Sequence, residues 1–114
     1  QRRAEAAEAL GRLGEIAAPA IPALSSQLTD HDIKVTVRAI EALGRIGRRS
    51  APALIEAIDR IDNADEFILC WLTKALGETE EREAIPYLQG YLSHPDPEVR
   101  YFAGEALTKL SQII

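Results

Sequence analysis

A repeated tripeptide restricts the fold of this chain more than any other feature of its sequence. Ala-Leu-Gly occurs three times at a constant interval of 33 residues, and a fourth copy, Ala-Leu-Thr, follows after 31. The four copies begin at Ala9, Ala42, Ala75 and Ala106. A period of this length is typical of stacked helical units, each of which is too small to bury its own apolar surface. The spacing therefore predicts a stack of similar units.

Each unit is predicted to contain two helices. Around the second copy, Val35, Ala39, Ala42, Leu43 and Ile46 recur at helical spacing and not at the alternating positions of a strand. A second apolar block, Pro-x-Leu-x-x-x-Leu or Ile, follows the first three copies, and its proline lies early, where a missing N–H costs least. These prolines are Pro22, Pro52 and Pro86. The predicted helices span about 2–13, 20–28, 33–46, 51–61, 66–77, 83–92 and 97–112.

Capping residues mark the ends of the predicted helices. An aspartate precedes each of the last three Ala-Leu motifs by ten residues, where its carboxylate can accept from the free N–H groups of a first turn. These aspartates are Asp32, Asp65 and Asp96. Gly14 and Gly47 follow apolar stripes, where a left-handed residue is wanted at a helix C-terminus. Ser50 is expected to cap the second helix of the middle unit.

Stacking these pairs predicts an all-α architecture, a right-handed α-solenoid of about three and a half repeats. We expect one domain, 1–114, with units of about 1–31, 32–64, 65–95 and 96–114. The aspartate of the first unit would lie before Gln1, and the chain closes after a first helix with Ile113 and Ile114, which are not a polar cap. We therefore expect a fragment of a longer solenoid.

Composition excludes several classes of protein. The chain has 13 Lys and Arg against 18 Asp and Glu, a formal net charge of −5, which disfavours a general nucleic-acid binder. No apolar run approaches the roughly 20 residues of a membrane span, and no signal-peptide pattern is present, so we expect a cytoplasmic protein without membrane contact. One cysteine cannot form an internal disulfide.

The sequence offers no catalytic or metal-binding constellation. His31 and His94 are interpreted as solvated residues of the junctions that lead into first helices. Cys70 is interpreted as a half-buried structural thiol, since no histidine falls near it in the repeat register. We therefore expect no enzyme activity, no cofactor and no metal.

The repeat resembles HEAT repeats, and in particular the short HEAT-like type first named for phycobilisome (bilin) lyases. The best match is Asp96-Pro97-Glu98-Val99-Arg100, followed by Ala103, Ala106 and Leu107. The arginine of the family pattern is present as Arg3 and Arg100, whereas Thr36 and Leu69 stand at the same position in the middle units. The resemblance covers essentially the whole chain.

The resemblance implies a scaffold that contacts another protein or further repeats of its own chain. Part of a bilin-lyase-type enzyme assembly is the alternative, which would need a tetrapyrrole-sized pocket and a partner subunit. A third class, typified by HEAT-like DNA glycosylases, binds nucleic acid through a basic concave face, but the inner positions here are neutral or acidic.

Function in a repeat protein is expected where one copy departs from the others. Phe67, Trp71 and Phe102 occupy outward positions that are polar in the first two units, which predicts an aromatic patch on the outer surface. Two interpretations remain: the rings cover the seams between helices and complete the core, or they contact a partner, including a second copy of this chain. A contact between two copies would form a two-fold dimer.

A second candidate surface is the inner face formed by the second helices. The positions one and five residues after each repeated proline are expected to point away from the core. They are Ala23, Gln27, Ala53, Ala57, Tyr87 and Tyr91. The two tyrosines are the best aromatic anchor on that face, and the alternative is a partly buried pair at its rim.

Overall fold

A computed structural model describes residues 2–60 and 65–112. Predictions that concern Gln1, the final residue of the predicted helix 51–61 and the terminal Ile113 and Ile114 lie outside the described residues. Within the described ranges every regular element is helical, and the predicted all-α solenoid is confirmed.

Within residues 2–60 and 65–112, four longer helices alternate with three shorter ones. The longer helices are α1 (Arg2–Arg12), α3 (Ile33–Ile46), α5 (Glu66–Glu78) and α7 (Pro97–Ser111). The shorter helices are α2 (Ile21–Ser26), α4 (Ala51–Arg60) and α6 (Ile85–Tyr91). Short 3₁₀ turns at Gly14–Ala20, Gln27–Thr29, Arg48–Ser50 and Arg82–Ala84 flank the shorter helices.

The longer helices form one layer of the stack and the shorter helices form the other. In the outer layer α1 packs on α3, α3 on α5 and α5 on α7, while α2, α4 and α6 contact the outer helix that follows each of them. The core lies between the layers. The leucine two residues after each repeated proline is at most 1% exposed. These residues are Leu24, Leu54 and Leu88.

The predicted helix starts are confirmed by direct hydrogen bonds. The Asp32 carboxylate accepts from the Lys34 N–H at 3.0 Å, and the Asp65 carboxylate accepts from the Ile68 N–H at 3.2 Å. Asp96 accepts from the N–H of Glu98 at 2.7 Å. Each bond satisfies one donor of a first turn that has no partner within the helix, which fixes where α3, α5 and α7 begin.

The helix ends are only partly as predicted. Gly14 (φ +61°) and Gly47 (φ +100°) have positive φ, as expected. Ser50 does not cap α4: its hydroxyl is fully buried and donates to the carbonyls of Leu43 and Gly47. The prediction for Ser50 was wrong because Ser50 ends a 3₁₀ turn that runs directly into α4, and its hydroxyl acts as a donor to the preceding segment.

The glycine of the repeated tripeptide brings neighbouring outer helices together. A Cβ added at Gly11 would lie 3.0 Å from Ala42 Cα, and one at Gly44 would lie 3.1 Å from Ala75 Cβ. At Gly77 the same atom would lie only 2.6 Å from the Cβ of Ala106. Each Ala-Leu-Gly glycine therefore faces the alanine of the next copy, and this contact sets the approach of the two helices.

The family arginine makes different bonds in the two units that have it. Arg3 pairs with Asp30, Nε to Oδ2 at 3.1 Å, and thereby ties α1 to the segment leading into α3. Arg100 donates to the backbone carbonyl oxygens of His94 at 2.7 Å and Pro95 at 3.0 Å. Thr36 replaces the arginine in the second unit and donates its hydroxyl to the Asp30 carbonyl at 3.1 Å, so a bond to the preceding segment survives the substitution.

Candidate interaction surface

A cavity of about 410 Å³ lies between the N-terminal halves of α5 and α7 on the outer layer. Its walls include the three aromatic residues singled out in the sequence, Phe67, Trp71 and Phe102, and Cys70 also lines it. The cavity exists because aromatic side chains on two neighbouring helices project at positions where the earlier units carry polar side chains. The structure thus brings together three rings that are separated by up to 35 residues of sequence.

The three rings differ in their exposure. Phe67 is 56% exposed, whereas Trp71 is partly buried against the hydrophobic core. Their ring centroids lie 6.4 Å apart at an interplanar angle of 70°, an edge-to-face arrangement that holds both rings in place. Phe102 is half-buried and contacts Tyr101 in a similar edge-to-face pair at 5.3 Å. Trp71 therefore agrees with the interpretation that the rings complete the core, whereas Phe67 faces solvent and its contact with a partner stays a prediction.

Trp71 and Lys74 replace an ion pair of the preceding unit. The corresponding positions in α3 are Arg38 and Glu41, whose side chains pair at 2.6 Å. In α5 the Lys74 ammonium instead lies 5.5 Å from the centroid of the Trp71 ring, a cation–π distance. The third unit therefore has an aromatic ring with an adjacent cation where the second unit has the ion pair between Arg38 and Glu41.

Carboxylates also line the cavity. Glu66 comes from the first turn of α5, and Asp96 and Glu98 come from the start of α7. Among residues 2–60 and 65–112, no basic side chain forms an ion pair with any of these three carboxylates. Lys74 is the one basic side chain in the wall among the residues that the structure describes, and these lining residues carry more negative than positive charge.

Cys70 lies half-buried in the wall of the cavity and has no disulfide partner. Burial raises the pKa of its thiol, and the charges of Asp96, Glu98 and Glu66 raise that pKa further. A raised pKa keeps the thiol neutral and unreactive at physiological pH. This environment agrees with the interpretation of Cys70 as a structural thiol.

The inner face has fewer outward side chains than predicted. Tyr87 is 36% exposed, but Tyr91 is half-buried, packs against the core and contacts the ring of His94 edge to face. Burial raises the pKa of the Tyr91 hydroxyl, with smaller contributions from Asp59 and Tyr87. Tyr91 is therefore partly buried, as in the alternative given by the sequence, whereas Tyr87 is exposed, and the role of the pair as an anchor stays a prediction.

The remaining inner positions are mixed. Ala23 is exposed and Ala53 is half-buried. Ala57 is only 6% exposed and belongs to the core, so the prediction that it points outward was wrong. Gln27 is half-buried, and its Oε1 is buried without a hydrogen-bond donor among the described residues. The inner face therefore offers no continuous contact surface from these residues.

The histidines have different environments. His31 is almost fully exposed, with its Nδ1 3.9 Å from the Asp30 carboxylate. His94 is half-buried, and its Nδ1 accepts from the Asp96 N–H at 3.0 Å, so it shapes the entry into α7 and is not simply solvated. Within residues 2–60 and 65–112, no three His, Cys, Asp or Glu side chains are grouped as a metal site would need, and no helix is long and apolar enough to cross a membrane.

The acidic part of the cavity lining was not foreseen from the sequence. From the sequence, Glu66 and Glu98 are only acids near helix N-termini, where the positive end of the helix dipole stabilises a negative charge. Asp96 was predicted only as a cap. The signal that could have identified them is their register: the aspartates at 65 and 96 start adjacent outer helices, so side chains in the first turns of both meet beside the aromatic column.

Comparison with known proteins agrees with this architecture. The family profile described as HEAT repeats matches residues 1–66 and again residues 51–112, which together cover nearly the whole chain. No curated protein sequence matches the chain. HEAT repeats generally act as scaffolds for protein–protein contacts. Because the repeat register, the paired helices and this match agree, the chain belongs to the HEAT repeat family.

Proposed function

We propose that this chain is a non-catalytic protein-interaction module whose contact surface is the aromatic cavity between α5 and α7. The observation that carries the proposal is the exposure of Phe67, which leaves 56% of a large apolar side chain in solvent at the mouth of the cavity. Apolar surface of this kind gains free energy when a partner covers it. The family supports the same general role.

The equivalent positions in earlier units carry polar side chains, so the repeat tolerates polar residues there. Phe67 aligns with Lys34 and Glu98, and Trp71 aligns with Arg38. Polar side chains at those positions occur in helices that start and pack in the same way. The exposed ring of Phe67 therefore supports a role beyond the stacking of repeats, and rings in edge-to-face contact lose little entropy on binding.

The test compares Phe67→Glu with Ile33→Glu. Both substitutions replace an exposed apolar residue in the first turn of an outer helix, and the native exposures are close, 56% and 52%. Only Phe67 lines the cavity. Capture of partner proteins from source lysate should be lost with Phe67→Glu and retained with Ile33→Glu, and sedimentation equilibrium of both variants measures any self-association. Thermal melts should show that both variants fold.

Trp71→Glu provides a second comparison, because Trp71 is partly buried. We expect it to weaken association more than folding, although it should cost more stability than Phe67→Glu. Association unchanged in both variants would refute the proposed function. A large loss of fold stability in Trp71→Glu, with association intact, would assign Trp71 to the core alone.

A further inference from the structure

The charges in the cavity wall restrict what a partner can place there. Three carboxylates, from Glu66, Asp96 and Glu98, share the lining with one ammonium, and that ammonium lies beside the Trp71 ring. A purely apolar side chain entering the cavity would remove water from carboxylates without giving them a hydrogen-bond donor. A cationic side chain would supply donors and opposite charge together.

The aromatic part of the wall selects among cations. Ring faces attract cations, and Lys74 already occupies such a position on Trp71. A guanidinium is planar, stacks on aromatic rings and presents several N–H donors in a fixed fork that matches a carboxylate. An alkyl ammonium has the same charge but cannot stack, and it is more strongly hydrated. The lining of rings and carboxylates therefore matches arginine better than lysine.

The neighbouring thiol does not oppose this choice. Cys70 lies in the same wall, and because its pKa is raised by burial and by the nearby carboxylates, it adds no charge and only a small apolar surface. The volume of the cavity, about 410 Å³, is larger than a bound water needs and falls within the range of sites that bind organic groups.

We infer that the cavity between α5 and α7 binds an arginine side chain from an exposed segment of a partner protein, in contact with the rings of Phe67, Trp71 and Phe102 and paired with Glu66 and Glu98. This inference rests on the proposed function and deepens it by naming the chemistry of the partner. The net charge of −5 favours the approach of such a basic segment. The charge complementarity selects an external basic partner over a second copy of this acidic chain.

Trp71 is the single tryptophan of the chain and lines the cavity, so its fluorescence reports directly on occupancy. The probes are three short capped peptides, acetyl-Leu-X-Leu-amide, in which X is arginine, lysine or citrulline. Citrulline keeps the shape of arginine and loses its charge. We expect a saturable change of Trp71 fluorescence with the arginine peptide, weaker binding of the lysine peptide, and the weakest binding of the citrulline peptide. Added salt should reduce the affinity of the charged peptides.

Two neutralising variants connect the binding to the carboxylates. Glu66→Gln and Glu98→Gln should each weaken the arginine peptide by about two- to fivefold, the range expected for partly exposed ion pairs. Glu105→Gln is the matched control, because Glu105 lies on α7, is exposed and is outside the cavity lining. The Glu105→Gln variant should bind the arginine peptide with the same affinity as the unmodified chain. Thermal melts verify that all three variants fold, since Glu66 and Glu98 also lie in first turns.

The outcomes separate this inference from the proposed function. Equal affinity for the arginine and citrulline peptides, or no saturable response to any peptide, would overturn the arginine assignment, while the Phe67→Glu comparison would still decide whether the surface binds protein. Unchanged affinity in Glu66→Gln and Glu98→Gln would overturn it as well. Self-association that is abolished by Glu98→Gln would assign the site to an arginine of a second copy, and would overturn the external partner.

Discussion

Gly77→Ala should destabilise the fold, although the same change elsewhere in a helix stabilises it. The new Cβ would lie 2.6 Å from Ala106 Cβ and 2.8 Å from Ala106 Cα, where ordinary contacts span 3.4–4 Å. The helices α5 and α7 would have to separate by about 1 Å at their closest contact, and overpacking of this kind costs about 1–3 kcal/mol. The higher helix propensity of alanine returns at most about 1 kcal/mol, so we expect a net loss.

Gly104→Ala is the matched control. Gly104 lies inside α7, and a Cβ added there would meet no atom within 4 Å. This variant should therefore gain about 0.5–1 kcal/mol from helix propensity alone. Urea titration followed by circular dichroism should place the two variants on opposite sides of the unmodified chain. Their melting temperatures should differ by about 4 °C for each kcal/mol that separates them.

A double substitution tests whether the contact with Ala106 is the cause. Ala106→Gly removes the opposing methyl group, so combining it with Gly77→Ala relieves the overlap between the two Cβ atoms and leaves the one with the Cα at position 106. The combined loss should be smaller than the sum of the single losses by about 1 kcal/mol or more. Strict additivity, or a Gly77→Ala variant as stable as Gly104→Ala, would refute the close-contact reasoning.

Three further predictions concern stability. Leu43 is fully buried, so Leu43→Ala should cost about 2–5 kcal/mol in urea titration, and a loss below about half a kcal/mol would show that the repeat register is wrong. Glu80 has φ +62° at the position held by Gly14 and Gly47, so Glu80→Gly should raise the stability by about 1 kcal/mol, and a lower melting temperature would contradict this. The hydrogen bond from the Asp32 N–H, aided by Arg3, holds the pKa of the Asp30 carboxyl below its ordinary value of 3.8. Because the folded pKa is the lower one, Asp30 stabilises the fold above pH ~4 and this contribution is lost as pH falls through the folded pKa. Asp30→Asn should therefore flatten the acid side of a melting-temperature profile, and unchanged profiles would contradict the assignment.

The helices and their starts were predictable because they depend on residues close together in the sequence. The apolar spacing around Leu43 predicted α3 with the boundaries that the structure has, Ile33–Ile46. Two of the shorter helices were predicted too long: α2 covers only Ile21–Ser26, with a 3₁₀ turn after it, and α6 covers only Ile85–Tyr91, with a 3₁₀ turn before it. Apolar spacing does not distinguish a last α-helical turn from a 3₁₀ turn, because both place side chains on the same face for a few residues.

Contacts between units were less accessible to sequence reasoning. The Gly77–Ala106 contact and the acidic lining at Glu66 and Glu98 depend on how far α5 and α7 approach each other and on their relative register. The aromatic column was predictable as a departure from the repeat pattern, since aligned positions can be compared directly. The burial of each ring was not predictable, because the same column contains the exposed Phe67 and the partly buried Trp71.

The contact between Gly77 and Ala106 also bears on the cavity, because it sets the distance between α5 and α7 at the other end of the same two helices. Phe67 lies ten residues from Gly77, which is about 15 Å along α5. A tilt of about 5° around the contact at Gly77 moves the Phe67 backbone by about 1 Å, a displacement comparable with the fit of a bound side chain. A change in the contact at Gly77 therefore becomes a larger displacement at the cavity wall, because Phe67 lies about 15 Å from that contact along α5.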